Sequence, residues 1–209
     1  MSQNLTHELE ETRQEAVLRL GRAAEYRDNE TGMHVIRMSR LSANLAKKIG
    51  LTDDECQIML QASPMHDVGK IGIPDEILLI PGKLNEKEWE IMKTHAQKGY
   101  DLLADSDRIV AKMGAIIAKT HHERWDGNGY PEGLSGDDIP IEGRIMAIVD
   151  VVDALLSKRC YKPAWSEEDV KAYLEENAGK QFDPLITHIM LEHFDRILEI
   201  RALEPDEDE

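Results

Sequence analysis

The sequence predicts an all-α fold in a single domain. Apolar residues recur at helical spacing through most of the chain, several helix starts carry capping pairs, and no long strand-type alternation appears. Of the 209 residues 41% are hydrophobic, enough for a sizeable core. The formal net charge of −16 argues against a general surface for nucleic-acid polymers or anionic membranes. An anionic substrate would need local help, which bound cations supply. Cys56 and Cys160 lie far apart without metal-ligand spacing and read as reduced thiols of a cytoplasmic protein. No signal peptide and no apolar run of transmembrane length is present, so a soluble protein is expected.

The elements follow in order. Leu5, Leu9, Ala16, Val17, Leu20 and Ala24 form a narrow helical stripe over residues 1–24. It fits equally a surface helix or a linker helix that joins an upstream domain or pairs with a second copy. A second helix runs from near Asp28 to Ile49 and stops at Gly50. Thr52 with Glu55 opens a third, through Ala62, which Pro64 disturbs. Pro and Gly bracket a short helix around Ile77–Ile80, and Asn85 with Glu88 caps one carrying Trp89, Met92, His95 and Gly99. Ser106 starts the helix that ends in His121 and His122. Pro140 leads into an apolar helix through Leu156, and Ser166 with Asp169 opens another to about Asn177. A last helix is predicted from Pro184 to about Leu203, before an acidic tail, 204–209, expected to be disordered.

Residues 121–131 put two adjacent histidines, with Glu123 and Asp126, beside a glycine-rich turn at a helix end. A lone histidine near an apolar face is more often a satisfied core residue than a ligand. Here His66-Asp67, His95, Asp150 and the pair Glu30/His34 also lie in or at the ends of predicted helices, several within apolar stretches. Buried imidazoles and carboxylates need partners, and a shared metal centre supplies them together. Taken alone, Glu30 and His34 read as an exposed i,i+4 pair. Asp150 lies mid-way along an apolar helix and is the carboxylate least able to stay unpaired. Asp153, three residues on, suits an acceptor for a ligand histidine. His7, His188 and His193 read as surface or packing residues, and Arg159 and Lys162 also suit a helix C-terminus.

Arg27 to His34, His66-Asp67-Val68-Gly69-Lys70, residues 121–131 with Gly129-Tyr130-Pro131, Gly133 to Gly136, Asp150, Asp153, Arg159, Tyr161, Lys162 and Gln181 to Pro184 together resemble the HD-GYP family. These are cyclic di-GMP phosphodiesterases, a branch of the HD phosphohydrolases. The resemblance implies an HD-type helical bundle over residues 25–203, with the metal site in its helix core. It implies His66, Asp67, His95, His121, His122 and Asp150 as ligands of a metal pair, with Glu30 and His34 added in members that hold a third ion. Lys70, Arg159 and Lys162 match positions that hold the substrate's phosphates, and Tyr130 lies at the site; Asp67 and Lys70 carry the catalysis. Imidazole and carboxylate donors without thiolates suit two or three divalent transition metals, iron or manganese before zinc or nickel. Such ions meet the need of phosphodiester hydrolysis for an activated water and charge stabilisation. Lys70 would act as a point cation and Arg159 as a two-pronged one. Glu123 and Asp126 are expected to orient ligands or the loop.

The implied activity opens cyclic di-GMP to pGpG and onward to GMP in bacterial second-messenger signalling. Alternatives are another cyclic dinucleotide, cyclic GMP-AMP, or a non-catalytic sensor, whose ligand set would be incomplete. The resemblance also implies an upstream receiver or sensor domain, a diguanylate-cyclase domain docking on the GYP loop, and a homodimer as partners.

Overall fold

The structure is a computed structural model that describes residues 2–28, 32–158 and 163–205, apart from the side chains of residues 2–7 and 9–11. Glu30, Cys160, Tyr161 and the two phosphate-facing expectations Arg159 and Lys162 lie outside the described residues, as do 206–209 and the side chain of His7. Among the described residues the secondary structure is helical, with two isolated bridges and no strand. The helices are α1 (Ser2–Tyr26), α2 (Gly32–Ile49), α3 (Asp53–Ala62), α4 (Asp75–Leu78), α5 (Glu86–Leu103), α6 (Ile109–Thr120), α7 (Ile141–Leu156), α8 (Glu167–Asn177), α9 (Pro184–Glu192) and α10 (Phe194–Ala202). No described helix is long and apolar enough to cross a membrane.

The core follows from two stripes. On α2, Val35, Met38, Leu41 and Leu45 recur at spacings of three and four and are all essentially buried. On α7, Ile145, Met146, Ile148, Val149 and Val152 leave hardly any surface polar, so this helix is the central one, packed on α2 and α6. Helix α5 packs on α6 and on a 3-10 turn, Val68–Gly72. That last contact is made by backbones in close approach: a Cβ on Gly69 would overlap the His95 carbonyl and the Gly99 nitrogen. It sets the His66–Lys70 segment directly against the middle of α5.

Local chemistry sets most helix ends. The capping boxes Thr52/Glu55 and Asn85/Glu88 form in full, and the Ser166 hydroxyl accepts from Asp169 N. Three expectations are corrected. Helix α6 begins at Ile109 rather than Ser106, because Arg108 is extended and Ser106 accepts from its N–H at 3.2 Å. The last helix is two: His193, at φ −113° and ψ 21°, bends the chain so that Phe194 turns into the core. The fully buried carboxylate of α7 is Asp153; the Asp150 side chain is 25% exposed and opens on a cleft.

The end of α1 is part of the packed body. Ala24 and Glu25 are each 1% exposed, and a Cβ on Gly21 would overlap the Pro64 carbonyl. A narrow stripe in a charged helix concealed this contact.

Candidate metal centre

Helix ends and helix breaks deliver the histidines. Pro64 converts the end of α3 into a 3-10 turn, Ser63–Met65, after which His66 and Asp67 leave regular helix; Asp67 sits at φ −105°, ψ 13°. His95 projects from the middle of α5, and His121 is the first residue beyond α6. Main-chain carbonyls three or four residues back fix the rings. Nδ1 of His66 faces Ser63 O at 3.1 Å, that of His95 faces Met92 O at 2.8 Å, and that of His121 faces Ile117 O and Ala118 O at 3.0 Å. A carbonyl can only accept, so each Nδ1 carries a proton, and in the neutral ring each Nε2 carries the lone pair.

These three Nε2 atoms converge on Asp67. His95 and His121 lie 3.2 and 3.4 Å from its Oδ1, and His66 lies 3.4 Å from its Oδ2. All three nitrogens and Asp67 Oδ1 are buried without a hydrogen-bond partner among the described residues. Lone pairs buried face to face repel; a divalent cation among them removes the conflict, and the donor set fits one. Asp67, His95, His121 and His122 bring one donor atom each within 4.8 Å of one another, and Glu25, His34 and His66 do the same beside them. Burial first, then the neighbouring histidines, holds His122 well below the usual histidine range, and burial lowers His121, leaving both as the neutral imidazole that binds metal. His66 is raised: burial opposes this, but the Asp67 carboxylate prevails, and a cation would compete for that proton.

His34 is oriented differently. Its Nδ1 lies 2.8 Å from Asp153 Oδ2, and its Nε2 points toward Asp150 Oδ1 at 3.8 Å. Asp153 is itself held by Arg37 Nε at 2.9 Å and by Arg201. This is the acceptor role expected for Asp153.

His34, Asp67, His95 and His122 line a cleft of about 410 Å³ that also holds Lys70, Asp150, Trp89 and Tyr130. Burial would lower the Lys70 pKa, but Asp67, Glu25 and Asp28 hold it well above the ordinary value, so the ammonium is permanent. Its Nζ lies 2.8 Å from Asp67 and 2.6 Å from Asp28. The GYP loop closes one wall. Buried Glu123 ties it down by accepting from the N–H groups of Glu132 (2.8 Å) and Leu134 (3.1 Å), while Asp126 pairs with Arg124 at the surface, at 2.8 Å. Gly129 passes so close to the Glu123 and Arg124 backbone that no side chain fits, and Tyr130 stacks on His122 with ring centroids 4.8 Å apart. Burial, with Asp67 and Asp150 adding to it, raises the Tyr130 phenol, which stays a neutral donor.

Of the expected ligands, His34, His66, Asp67, His95, His121, His122 and Asp150 come together. Two residues of the site went unread in the sequence: Glu25, in a charged helix and buried beside His66, and Trp89, noted only as part of the helix that carries His95, which lines the cleft. The HD domain model matches residues 5–186. The chain belongs to the HD domain family. This HD domain is 48% identical, over 88% of its length and 49% of the relative's, to a cyclic di-GMP phosphodiesterase response regulator of Xanthomonas campestris. It is 47% identical, over 97% of its length and 39% of the relative's, to a 3'3'-cGAMP-specific phosphodiesterase of Vibrio cholerae. A crystal structure of a cyclic GMP-AMP specific phosphodiesterase of V. cholerae superimposes with a TM-score of 0.70 at 19% identity, over 89% of this chain and 50% of that one, which shows the shared fold. The chain spans about half or less of the length of these relatives.

Proposed function

We propose that this HD domain is a metal-dependent phosphodiesterase that opens cyclic di-GMP to pGpG and carries it onward to GMP. The observation that carries the reading is the convergence of three buried, unpartnered imidazole nitrogens on Asp67, beside a permanently charged lysine in an open cleft. Two or three divalent ions, iron or manganese by the oxygen and nitrogen donor set, would supply Lewis acidity and an activated water when bound. His66, Asp67, His95, His121, His122 and Asp150 would hold the pair, and His34 with Glu30 a third. Lys70 offers the phosphate a fixed positive charge in an otherwise acidic chain, with Arg159 and Lys162 as further contacts. Tyr130, a neutral phenol against His122, can donate to a phosphate oxygen or stack its free edge on a base.

The catalytic unit is taken as residues 25–203, extended back to Gly21 by its packing on Pro64, with the remainder of 1–24 as lead-in helix and 204–209 as tail. Because the similar proteins are about twice as long and one is a response regulator, a receiver or sensor domain upstream, a homodimer through α1 and a diguanylate-cyclase domain on the GYP loop are the partners to test. Cys56, a buried unpaired thiol, supports a cytoplasmic setting. Cyclic GMP-AMP is a second reading, favoured by the cGAMP-specific V. cholerae relative. The test is anaerobic purification, elemental analysis and a chromatographic panel of cyclic dinucleotides. Turnover of cyclic di-GMP ahead of cyclic GMP-AMP is expected; a metal-replete protein that cleaves neither would overturn the reading.

A further inference from the structure

The last turn of α1 buries a carboxylate, Glu25, that no sequence motif singled out and that lies beside His34 and His66. Glu25 is 1% exposed, and its Oε2 has no hydrogen-bond partner. Its Oε1 lies 3.8 Å from the lone-pair nitrogen of His66, and its Oε2 lies 3.5 Å from Lys70 Nζ. Lys70 has nearer partners in Asp28 at 2.6 Å and Asp67 at 2.8 Å. The glutamate is therefore buried beside His66 Nε2, and the cation nearest to it lies closer to two other carboxylates.

We propose that Glu25 is an inner-sphere ligand of a divalent cation that it shares with His34 and His66, so that these two histidines meet on one ion instead of serving the pair and a third ion separately. The proposal rests on the metal-dependent reading of the site. One donor atom from each residue lies within 4.8 Å of the other two. Donors on one ion at about 2.0–2.2 Å can be at most about 4.4 Å apart, so atoms already within 4.8 Å of one another need only a small adjustment to share one. Glu25 is the member free to make that adjustment. His66 is pinned to Ser63 O and His34 to Asp153, whereas the glutamate has three rotatable side-chain bonds and no hydrogen bond at Oε2. Asp67, whose Oδ2 is 3.4 Å from the same His66 nitrogen, then joins this position to the cluster of His95, His121 and His122.

The rival role is a counter-ion for Lys70, and metal counting separates the two. Parent protein, Glu25→Gln and Glu25→Asp are each loaded with Mn²⁺, desalted and assayed by elemental analysis and by Mn²⁺ titration followed by electron paramagnetic resonance. The expected result is a loss of about one ion per chain in Glu25→Gln, with Glu25→Asp retaining that ion at an affinity reduced about tenfold or more. Glu25→Gln is nearly isosteric, and Glu25→Asp keeps the charge, so circular dichroism of both checks that the fold persists. Equal stoichiometry and equal Mn²⁺ affinity in all three proteins, with only KM raised in Glu25→Gln, would overturn the proposal and leave Glu25 as a partner of Lys70. A parent that binds no Mn²⁺ overturns the metal-dependent reading itself, and the proposal with it.

Discussion

His66, His95 and His121 are aimed by main-chain carbonyls three or four residues back in their own helices, whereas His34 is aimed by Asp153, 119 residues away. In the first group the orienting partner is part of the helical backbone and no side-chain substitution removes it. In the second it is a buried carboxylate held in place by Arg37 and Arg201. One half of the centre is thus built into local structure, and the other depends on the assembled tertiary fold. The two halves should respond differently to mutation.

The largest effect is expected where the locally aimed rings meet. Asp67→Ala removes the carboxylate on which three imidazole nitrogens converge, and should abolish most bound metal and lower activity by more than about a hundredfold, beyond the loss typical of a supporting residue. Elemental analysis beside a turnover assay checks it; a variant that keeps metal and rate would break the picture of Asp67 as the common point. Next comes the long-range half. Asp153→Ala leaves Arg37, Arg201 and His34 around an emptied buried site, and should cost about 3–5 kcal/mol of stability, read as a lower urea midpoint. It should also remove the ion nearest His34 while sparing the one nearest His95, which metal counting would reveal.

The same division explains what could be read from the sequence. The local half was legible because its cues are local: a histidine pair at a helix end before a glycine-rich turn, and a His-Asp pair after a helix-breaking proline. The capping boxes and the apolar stripes of α2 and α7 were legible for the same reason. What depends on distant contacts was not. Asp150 and Asp153 share an apolar stretch, and only packing against Arg37 and Arg201 shows that the second is the buried one. Glu25 stands among other charged residues in α1, and a single buried carboxylate leaves no periodic trace. The break at His193 needs Phe194 to find a place in the core, which no capping signal announces.

A smaller effect is expected from disturbing how the two segments of the local half are held together. A Cβ at Gly69 would strike the backbone of α5 at His95 and Gly99, and backbone can yield only by moving the whole turn. Gly69→Ala should therefore cost about 1–3 kcal/mol, as overpacking does, and separate Asp67 from His95, now 3.2 Å apart. A weakened Mn²⁺ affinity with little change in helix content is the expected signature. Unchanged affinity would show that the close approach serves packing alone.

The smallest effect is the sharpest test of the contrast. Ser63 is fully buried, and its carbonyl, not its hydroxyl, faces His66 Nδ1; the hydroxyl donates to Met59 O at 2.7 Å. That acceptor also receives the Ser63 backbone N–H, so Ser63→Ala leaves no buried group orphaned and should cost about 1 kcal/mol or less. The ring of His66 should keep its tautomer and its aim, because the atom that sets them belongs to the main chain. Metal content and kcat are then expected to match the parent protein, in contrast to Asp153→Ala, although both substitutions fall on a residue hydrogen-bonded to a histidine of the centre. Histidine ¹⁵N chemical shifts report the tautomer directly. A His66 that changes tautomer in Ser63→Ala, or an His34 that keeps its own in Asp153→Ala, would erase the distinction between the two halves.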